Sequence, residues 1–272
     1  DRTAASSFGI MHTDANRRIF QFEEKPKDPA VLDELKIPAP LLTELGKPET
    51  AELYQASMGI YVFNRDVLVK CLNNDDKHFA KHIIPAALQR QKVLSYIFQG
   101  YWVDIGTVRS FFEANLALTD TLPPYNFFDR LSTIYTRPRF LPASKVNAAT
   151  FRRAIVGDGC IISDAHVERA VIGIRSIIET GATIRNSVIM GADYYEDEVN
   201  EVVHGTGPRP PLGIGRNSVI DRAIIDKNAR IGERVVITPD GKAPNMDGSN
   251  FYIRDGVVVI PKNAVIPDGT WI

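Results

Sequence analysis

The 272-residue sequence contains only two cysteines, Cys71 and Cys160, which lie far apart in the chain. Two distant cysteines cannot build a disulfide framework or a cysteine-rich metal cage, so a reducing compartment is expected. No apolar run approaches the roughly 18 residues needed to span a bilayer, and the first residues do not form a signal peptide. The net charge is only −1, from 32 Lys and Arg against 33 Asp and Glu. These deficits exclude a polybasic nucleic-acid domain and a membrane span, so neither nucleic acid nor membrane is expected as a partner.

The length and ordinary composition, with 44% apolar residues, favour two folded domains. Residues 1–120 alternate strand and helix signals, which predicts an α/β domain. Strands are expected at 8–12, 18–22, 57–63 and 93–98, and helices at 66–72 with Asn64 as N-cap, 75–88 and 108–118. Residues 121–145 are proline-rich and predict an extended linker.

From about residue 152 the aliphatic residues recur every six positions. Their positions, grouped by the steps that break the period, are Ile155, Ile161 and Val167; Ile172, Ile178 and Ile184; Val219, Ile225, Ile231 and Ile237; and Ile260, Ile266 and Ile272. A period of six returns to no single face of an α-helix, but it is typical of the hexapeptide coils of a parallel β-helix. An ordinary β-sandwich with chance spacing is the alternative. Residues 190–212 interrupt the repeat and are predicted to form a surface loop.

Three features of the front domain could bind a ligand. Glu24 and Lys25 follow a predicted strand, where an ammonium could bind a phosphate and a carboxylate could accept sugar hydroxyls, although such a pair is more often plain solvated surface. Ser57 lies beside Gly59, which could permit close approach of a ligand or could simply pack. Asp104 lies between a predicted strand and a predicted helix, where it could hold Mg²⁺ or could cap a turn.

His78 and His82 have the i, i+4 spacing of helical metal ligands. Phe79 follows the first histidine, so the H-E-x-x-H pattern is absent, and no third ligand is evident. A structural or surface role is therefore expected for both.

Taken together, several segments resemble the ADP-glucose pyrophosphorylases (glucose-1-phosphate adenylyltransferases). They occur in this order along essentially the whole chain: Ala5-Ser6-x-Phe8-Gly9, Phe22-Glu23-Glu24-Lys25-Pro26, Ala56-Ser57-Met58-Gly59, Tyr101-Trp102-x-Asp104-Ile105-Gly106-Thr107, Thr136-x-Pro138-Arg139, Met190-Gly191-Ala192-Asp193-Tyr194-Tyr195-Glu196 and Ile225-Asp226-Lys227-Asn228.

The resemblance implies a partial Rossmann-like nucleotidyltransferase domain over 1–120, a linker over 121–145, and a left-handed parallel β-helix over 146–272. The implied reaction joins ATP and glucose 1-phosphate to give ADP-glucose and pyrophosphate for glycogen or starch synthesis. It also implies Mg²⁺ as cofactor, a sugar phosphate or inorganic phosphate as effector, and a homo- or hetero-tetramer assembled through the β-helix. The implied location is bacterial cytoplasm or plastid stroma.

The resemblance also assigns roles to residues of the catalytic domain. Lys25 matches the lysine that binds the phosphate of glucose 1-phosphate, Glu24 matches the glutamate that holds glucose hydroxyls, and Ser57 lies in the sugar-site strand. Asp104 matches the aspartate that holds Mg²⁺ together with a second aspartate.

Four basic residues match the family's effector pocket. Arg139, Lys227 and Lys262 match its anion-binding positions, and Arg137 occupies a neighbouring position at which the family also has another side chain. For any one of them alone, a solvated surface cation is the simpler interpretation.

The chain departs from the family in one respect, because no G-G-x-G-x-R-L nucleotide loop occurs in the 272 residues. We therefore expect the second half of a catalytic domain plus a complete β-helix, inactive when alone. A non-catalytic regulatory or scaffold subunit and a related sugar nucleotidyltransferase remain alternatives. A hexapeptide acyltransferase is a further one, which would need His166 or His204 as its catalytic base.

Overall fold

The computed structural model describes residues 1–196 and 209–272, which form two compact units, Asp1–Gly100 and Tyr101–Ile272. The first unit contains the helices α1 (Arg2–Ala5), α2 (Pro29–Glu34), α3 (Ala39–Glu44), α4 (Arg65–Leu72) and α5 (Ile84–Arg90), and the strands β1 (Gly9–Thr13), β2 (Ile19–Glu24) and β3 (Gln55–Ala56). Helix α6 (Val108–Ala117) belongs to the second unit, as do all the later strands. This division lies earlier than the predicted boundary at residue 120.

A small antiparallel sheet in the order β2-β1-β3 forms the centre of the first unit. Strands β1 and β2 were both expected, and Asp14 shapes the turn between them by accepting hydrogen bonds from the Asn16 and Arg18 N–H groups. The sheet packs on α1 and α2 through Ala5, Ile10, Leu32 and Leu35, all of them buried.

Two strand predictions in this unit were wrong. Residues 57–63 follow β3 but form no strand themselves, and Val62 is 98% exposed. Residues 93–98 form only an isolated bridge, between Leu94 and Arg18. β-Branched and aromatic residues favour a strand only where a neighbouring strand supplies hydrogen-bond partners, and among the described residues these segments have almost none.

The helix predictions were closer to the structure than the strand predictions. Helix α4 follows Asn64 as expected, although the Asn64 side chain accepts no capping hydrogen bond from a first-turn N–H group. The helix expected at 75–88 begins later, with a π-helical turn over Phe79–Ile83 that continues into α5, and Pro85 occupies the first turn of α5. Pro85 therefore lies within a continuous helical stretch, where it has no N–H to donate to the preceding turn, and the change from π-helical to α-helical hydrogen bonding falls directly before it.

The second unit is a parallel β-helix, as the six-residue period predicted. Its strands are β4 (Lys145–Asn147), β5 (Thr150–Val156), β6 (Ile161–Ser163), β7 (His166–Ile172), β8 (Ile177–Ile178), β9 (Thr183–Ile189), β10 (Gly213–Ile214), β11 (Val219–Asp221), β12 (Ala223–Ile225), β13 (Arg230–Ile231), β14 (Val236–Ile237), β15 (Met246–Asp247), β16 (Tyr252–Arg254), β17 (Val257–Ile260) and β18 (Val265–Ile266). One ladder has the order β18-β13-β10-β8-β6-β4, and a longer sheet joins β5, β7, β9, β11, β12, β14 and β17. An antiparallel excursion, β15-β16-β17, was not predicted.

Most of the predicted inward residues lie in the buried core of the β-helix, including Ile178, Ile231 and Ile266. The register was wrong at three places. Ile162 and Ile220 are buried instead of Ile161 and Val219, and Ala154 instead of Ile155 packs against the core. Each error falls on neighbouring apolar residues, where hydrophobicity alone cannot tell which one points inward.

Residues in the left-handed backbone conformation form the corners between the short strands of the β-helix. In successive coils the corner residue has a positive φ, in three columns: Ala148, Asp164, Gly181, Asn217, Arg234 and Gly269; Arg153, Arg169, Asn186 and Arg222; and Gly159, Arg175, Gly191, Asn228 and Asn263. Asparagine, aspartate and glycine tolerate this left-handed conformation best, which fits the first and third columns, whereas the second column consists mostly of arginine.

Helix α6 lies on the outer face of the β-helix. Phe112 and Leu116 are buried in one cluster with Val188, Ile224 and Val257 from three parallel strands. Residues 121–144, all of them described, contain neither helix nor strand, and turns and bends occur between residues 121 and 132. Within the described ranges, no helix is long and apolar enough to cross a membrane.

Candidate functional site

Three of the predicted ligand-binding residues converge on one stretch of backbone, Phe8–Gly9. Gly9 pairs with Glu24 across the antiparallel sheet. The Lys25 N–H donates to the Phe8 carbonyl at 2.9 Å, and the Ser57 N–H donates to the Gly9 carbonyl at 2.7 Å. The end of β2, the start of β1 and the end of β3 therefore bring Glu24, Lys25 and Ser57 together in the first unit.

Gly9 makes room for the carboxylate of Glu24. A Cβ at Gly9 would lie 2.8 Å from Glu24 Oε2 and 2.5 Å from Phe22 Cζ, which is closer than real side-chain contacts. The half-buried Glu24 side chain therefore lies across Gly9, and this close approach requires the glycine.

Lys25 has a positive φ of 51° immediately after β2. A lysine in this left-handed region costs free energy, and such strained residues cluster at ligand sites. Lys25 is exposed, while the following Pro26 is buried and anchors the turn. The arrangement presents an ammonium at the end of a strand, where an anion can reach it.

Ser57 belongs to a small hydroxyl cluster. Its Oγ lies 3.1 Å from the Tyr61 hydroxyl and accepts a hydrogen bond from the Gly59 N–H at 3.2 Å. Gly59 has a φ of 70°, so glycine is required there by the backbone turn. The glycine thus shapes the loop that carries Ser57.

Asp104 belongs to the second unit, whereas Glu24, Lys25 and Ser57 belong to the first. It is exposed, and its Oδ1 accepts the Gly106 N–H at 3.1 Å just before α6. The cap of α6 is Thr107, which exchanges hydrogen bonds with Ser110. Asp104 is therefore a turn residue with a carboxylate open to solvent. No cluster of three or more potential metal ligands occurs in the described part of the chain.

Two of the four predicted anion-binding residues converge on a single carboxylate. Lys227 Nζ lies 2.9 Å from Asp193 Oδ1, and Lys262 Nζ lies 2.8 Å from Asp193 Oδ2. The ammonium groups of Lys262 and Lys227 hold the pKa of Asp193 well below its usual range, and the ion pair raises the pKa of Lys262. The sequence brings these three residues together from separate coils of the β-helix.

Arg137 and Arg139 are exposed and lie in the segment before the first coil. The Arg139 guanidinium donates to the Arg137 carbonyl at 2.7 Å. Within the described ranges, no hydrogen bond or ion pair joins either arginine to Lys227, Lys262 or Asp193. Of the four predicted cations, Lys227 and Lys262 share Asp193 as a partner, and these three residues are the two-lysine site.

Sequence reasoning missed the polar residues that build this two-lysine site. Asn228 accepts the Asp193 N–H at 2.8 Å, and its side-chain amide donates to Asp193 Oδ2 and to Asn263 Oδ1. The repeated Lys-Asn dipeptides, 227–228 and 262–263, were a readable signal for this stacking. Each places a corner asparagine directly after a lysine in corresponding coils.

A buried ion pair fixes both described ends of the interruption in the repeat. The Arg230 side chain is 4% exposed and donates to Glu196 at 2.5 Å and to the Pro210 carbonyl at 2.9 Å. Burial alone would raise the pKa of Glu196, but the Leu212 N–H and Arg230 outweigh it and lower the pKa. The predicted surface loop, residues 190–212, lies partly outside the described residues. His204 lies entirely outside them.

His78 and His82 lie next to each other, and His166 Nε2 lies 3.9 Å from Glu168. The His78 and His82 rings pack edge to face, and His82 Nδ1 lies 3.6 Å from Asp76. Neither cysteine forms a disulfide, and Cys160 is buried.

Comparison with protein-family models gives two matches along the chain. Residues 1–121 match the family model described as nucleotidyl transferase. Residues 139–271 match the model described as the GLGC left-handed parallel beta-helix domain. The chain is therefore a nucleotidyltransferase domain followed by a left-handed β-helix domain, which confirms the predicted fold class.

Proposed function

We propose that this chain is part of an enzyme that transfers the adenylyl group of ATP to glucose 1-phosphate, giving ADP-glucose and pyrophosphate. The observation that carries the proposal is the gathering of Glu24, Lys25 and Ser57 at Phe8–Gly9, within a domain that matches nucleotidyl transferases. The β-helix of matching type that follows favours ADP-glucose formation over related reactions.

Each of these residues has a role that its chemistry supports. The Lys25 ammonium neutralises and orients the phosphate of glucose 1-phosphate, whose oxygen attacks the α-phosphorus of ATP. The Glu24 carboxylate accepts hydrogen bonds from glucose hydroxyls, and the Ser57 hydroxyl lines the sugar pocket. Catalysis of this kind consists mainly of positioning and charge neutralisation, because the protein forms no covalent bond to the substrate.

Asp104 is proposed as a ligand of Mg²⁺. Its exposed carboxylate fits this role, because Mg²⁺ binds through one or two carboxylates together with substrate phosphates. When bound, the cation would offset the negative charge of a substrate phosphate.

The β-helix is proposed to bind a regulatory anion and to assemble the enzyme into a tetramer. Lys227 and Lys262 form the anion site, and Arg137 and Arg139 supply further positive charge from the preceding segment. A sugar phosphate or inorganic phosphate is the proposed effector.

Because the nucleotide loop is not among the 272 residues, binding of glucose 1-phosphate tests the proposal more directly than turnover. Isothermal titration should show that Lys25→Ala weakens binding of glucose 1-phosphate 10- to 100-fold, as a charge-assisted contact predicts. Lys27→Ala, which removes an exposed lysine two residues away, is the matched control and should bind as the wild type does.

Equal effects of Lys25→Ala and Lys27→Ala would remove Lys25 from the site. Absence of glucose 1-phosphate binding in the wild type, together with phosphate binding to the β-helix, would favour the regulatory subunit instead.

A further inference from the structure

Asp193 occupies the place where an anionic effector would bind. Its two carboxylate oxygens each contact a different ammonium group, that of Lys227 at 2.9 Å and that of Lys262 at 2.8 Å. A phosphate presents the same pair of oxygen edges to two lysines. We propose that Asp193 is an internal counter-anion that competes with phosphate for Lys227 and Lys262 and sets the threshold for effector binding.

The backbone around Asp193 keeps its carboxylate in this position. Asn228 accepts the Asp193 N–H at 2.8 Å and donates to its Oδ2 at 3.2 Å. The neighbouring Gly191 has a φ of 83°, and a Cβ there would lie 2.1 Å from the Ile174 carbonyl oxygen. The chain leaving β9 is thereby held so that Asp193 faces the two lysines.

The competition follows from the charges. Among these three side chains, two ammonium groups and one carboxylate leave one positive charge, and the nearby carboxylate of Asp226 offsets it further, so an incoming phosphate meets a weakened positive field. The carboxylate must give up both lysines before phosphate takes them, and it then lies next to a like charge. Each lysine and Asp193 is partly exposed, so the residues can rearrange without disturbing the core.

Neutralising Asp193 removes the competitor and preserves the shape. Asp193→Asn is nearly isosteric, and its backbone N–H still donates to Asn228. The inference rests on the anion site proposed above, and it assigns the regulation of that site to a residue outside the lysines. We expect Asp193→Asn to lower the dissociation constant for inorganic phosphate about tenfold, the lower end for a charge-assisted contact.

The test is calorimetric titration of the full chain with inorganic phosphate at low ionic strength. Glu179→Gln is the matched control, because it also removes one negative charge from the β-helix. The Glu179 carboxylate lies 3.9 Å from Arg216 Nε and forms no ion pair with Lys227 or Lys262 among the described residues. This variant should bind phosphate as the wild type does. Adding Lys262→Met to Asp193→Asn should abolish the gain.

Thermal melting supplies a second readout that a purely structural role would not give. Without phosphate, the Asp193→Asn variant should have a lower melting temperature than the wild type, because the ion pairs of Asp193 with Lys227 and Lys262 are lost. Saturating phosphate should close that gap, since phosphate then bridges the same two lysines. Asp193→Ser serves in place of Asp193→Asn if the latter does not fold.

Equal phosphate affinity in the wild type and in Asp193→Asn would overturn the role of Asp193 and leave the anion site standing. Absence of phosphate binding in both proteins would overturn the anion site itself. Tighter binding in Glu179→Gln as well would show a general effect of net charge and would also contradict the inference.

Discussion

At the scale of single residues, Gly9 holds the proposed sugar site together. Replacing it with alanine places a Cβ within 2.5 Å of Phe22 Cζ and 2.8 Å of Glu24 Oε2. We expect Gly9→Ala to destabilise the first unit by about 1–3 kcal/mol, as overpacking typically does. It should also weaken glucose 1-phosphate binding, because Glu24 must move. Chemical denaturation and titration calorimetry check this, with the exposed Ser7→Ala as control; unchanged binding in Gly9→Ala would exclude Glu24 from the site.

A network of surface charges gives the first unit a defined response to acid. Arg2 and Lys36 both contact Asp33 and Glu52, and these contacts lower the pKa of each carboxyl to about 2. Their ordinary values are 3.8 and 4.5. A carboxyl whose pKa is lower in the folded state stabilises the fold at pH values above its ordinary pKa. This stabilisation is lost as the pH falls through the folded-state pKa.

Unfolding free energy of the wild type should therefore fall between about pH 4.5 and pH 2 as these two carboxylates take up protons. Arg2→Met removes the partner that lowers the pKa of both carboxyls most, so the stability of this variant should depend less on pH in this window. Arg65→Met, which removes another exposed arginine, should keep the wild-type slope. Parallel pH profiles for Arg2→Met and the wild type would show that the network contributes no measurable stability.

At the scale of elements, helix α6 connects Asp104 to the β-helix. Leu116 is 0% exposed and packs with Val188, Ile224 and Val257. Leu116→Ala should cost about 2–5 kcal/mol and should speed amide exchange at residues 101–107, because the turn before α6 loses its anchor. Hydrogen exchange with mass spectrometry measures this.

The exposed Glu113→Ala is the control on the same helix. It removes only an i, i+4 contact with Arg109, worth a few tenths of a kcal/mol. If Leu116→Ala leaves exchange at residues 101–107 unchanged, Asp104 is not positioned through α6.

The elements also show how far the sequence alone leads. The period of six predicted the β-helix because each coil buries one aliphatic residue per short strand. Its register failed at Ile161 and Val219, where the next residue is equally apolar. Residues 57–63 looked like a strand from composition, but strand formation depends on a partner, which the segment itself does not encode.

The candidate site, like the fold, was predicted only in part from the sequence. The segment Phe22-Glu23-Glu24-Lys25-Pro26 indicated a ligand site, and the backbone joins Glu24 and Lys25 to Ser57 through Phe8–Gly9. Asp193 was noted only as part of the segment 190–196, because its contacts with Lys227 and Lys262 depend on how coils far apart in the sequence stack. The repeated Lys-Asn dipeptides indicate that residues 227–228 and 262–263 occupy corresponding coils, but nothing local to Asp193 indicates which coils it faces.

At the scale of the whole molecule, the two compact units should differ in how they fold. A β-helix is stabilised mainly by contacts between neighbouring coils, so residues 101–272 should fold when expressed alone. Residues 121–272 lack α6 and expose Val188, Ile224 and Val257, which should lower the melting temperature and promote aggregation. Circular dichroism melts and size-exclusion chromatography compare the two fragments. Equal stability would mean that α6 adds nothing to the β-helix domain.

The most direct test of the account is a crystal structure of the chain with glucose 1-phosphate bound. The account predicts that the phosphate contacts Lys25 Nζ and that glucose hydroxyls donate to the Glu24 carboxylate, with Ser57 lining the same pocket. A sugar phosphate bound away from Phe8–Gly9, or a site at which Lys25 and Glu24 contact no ligand at saturating concentration, would contradict it.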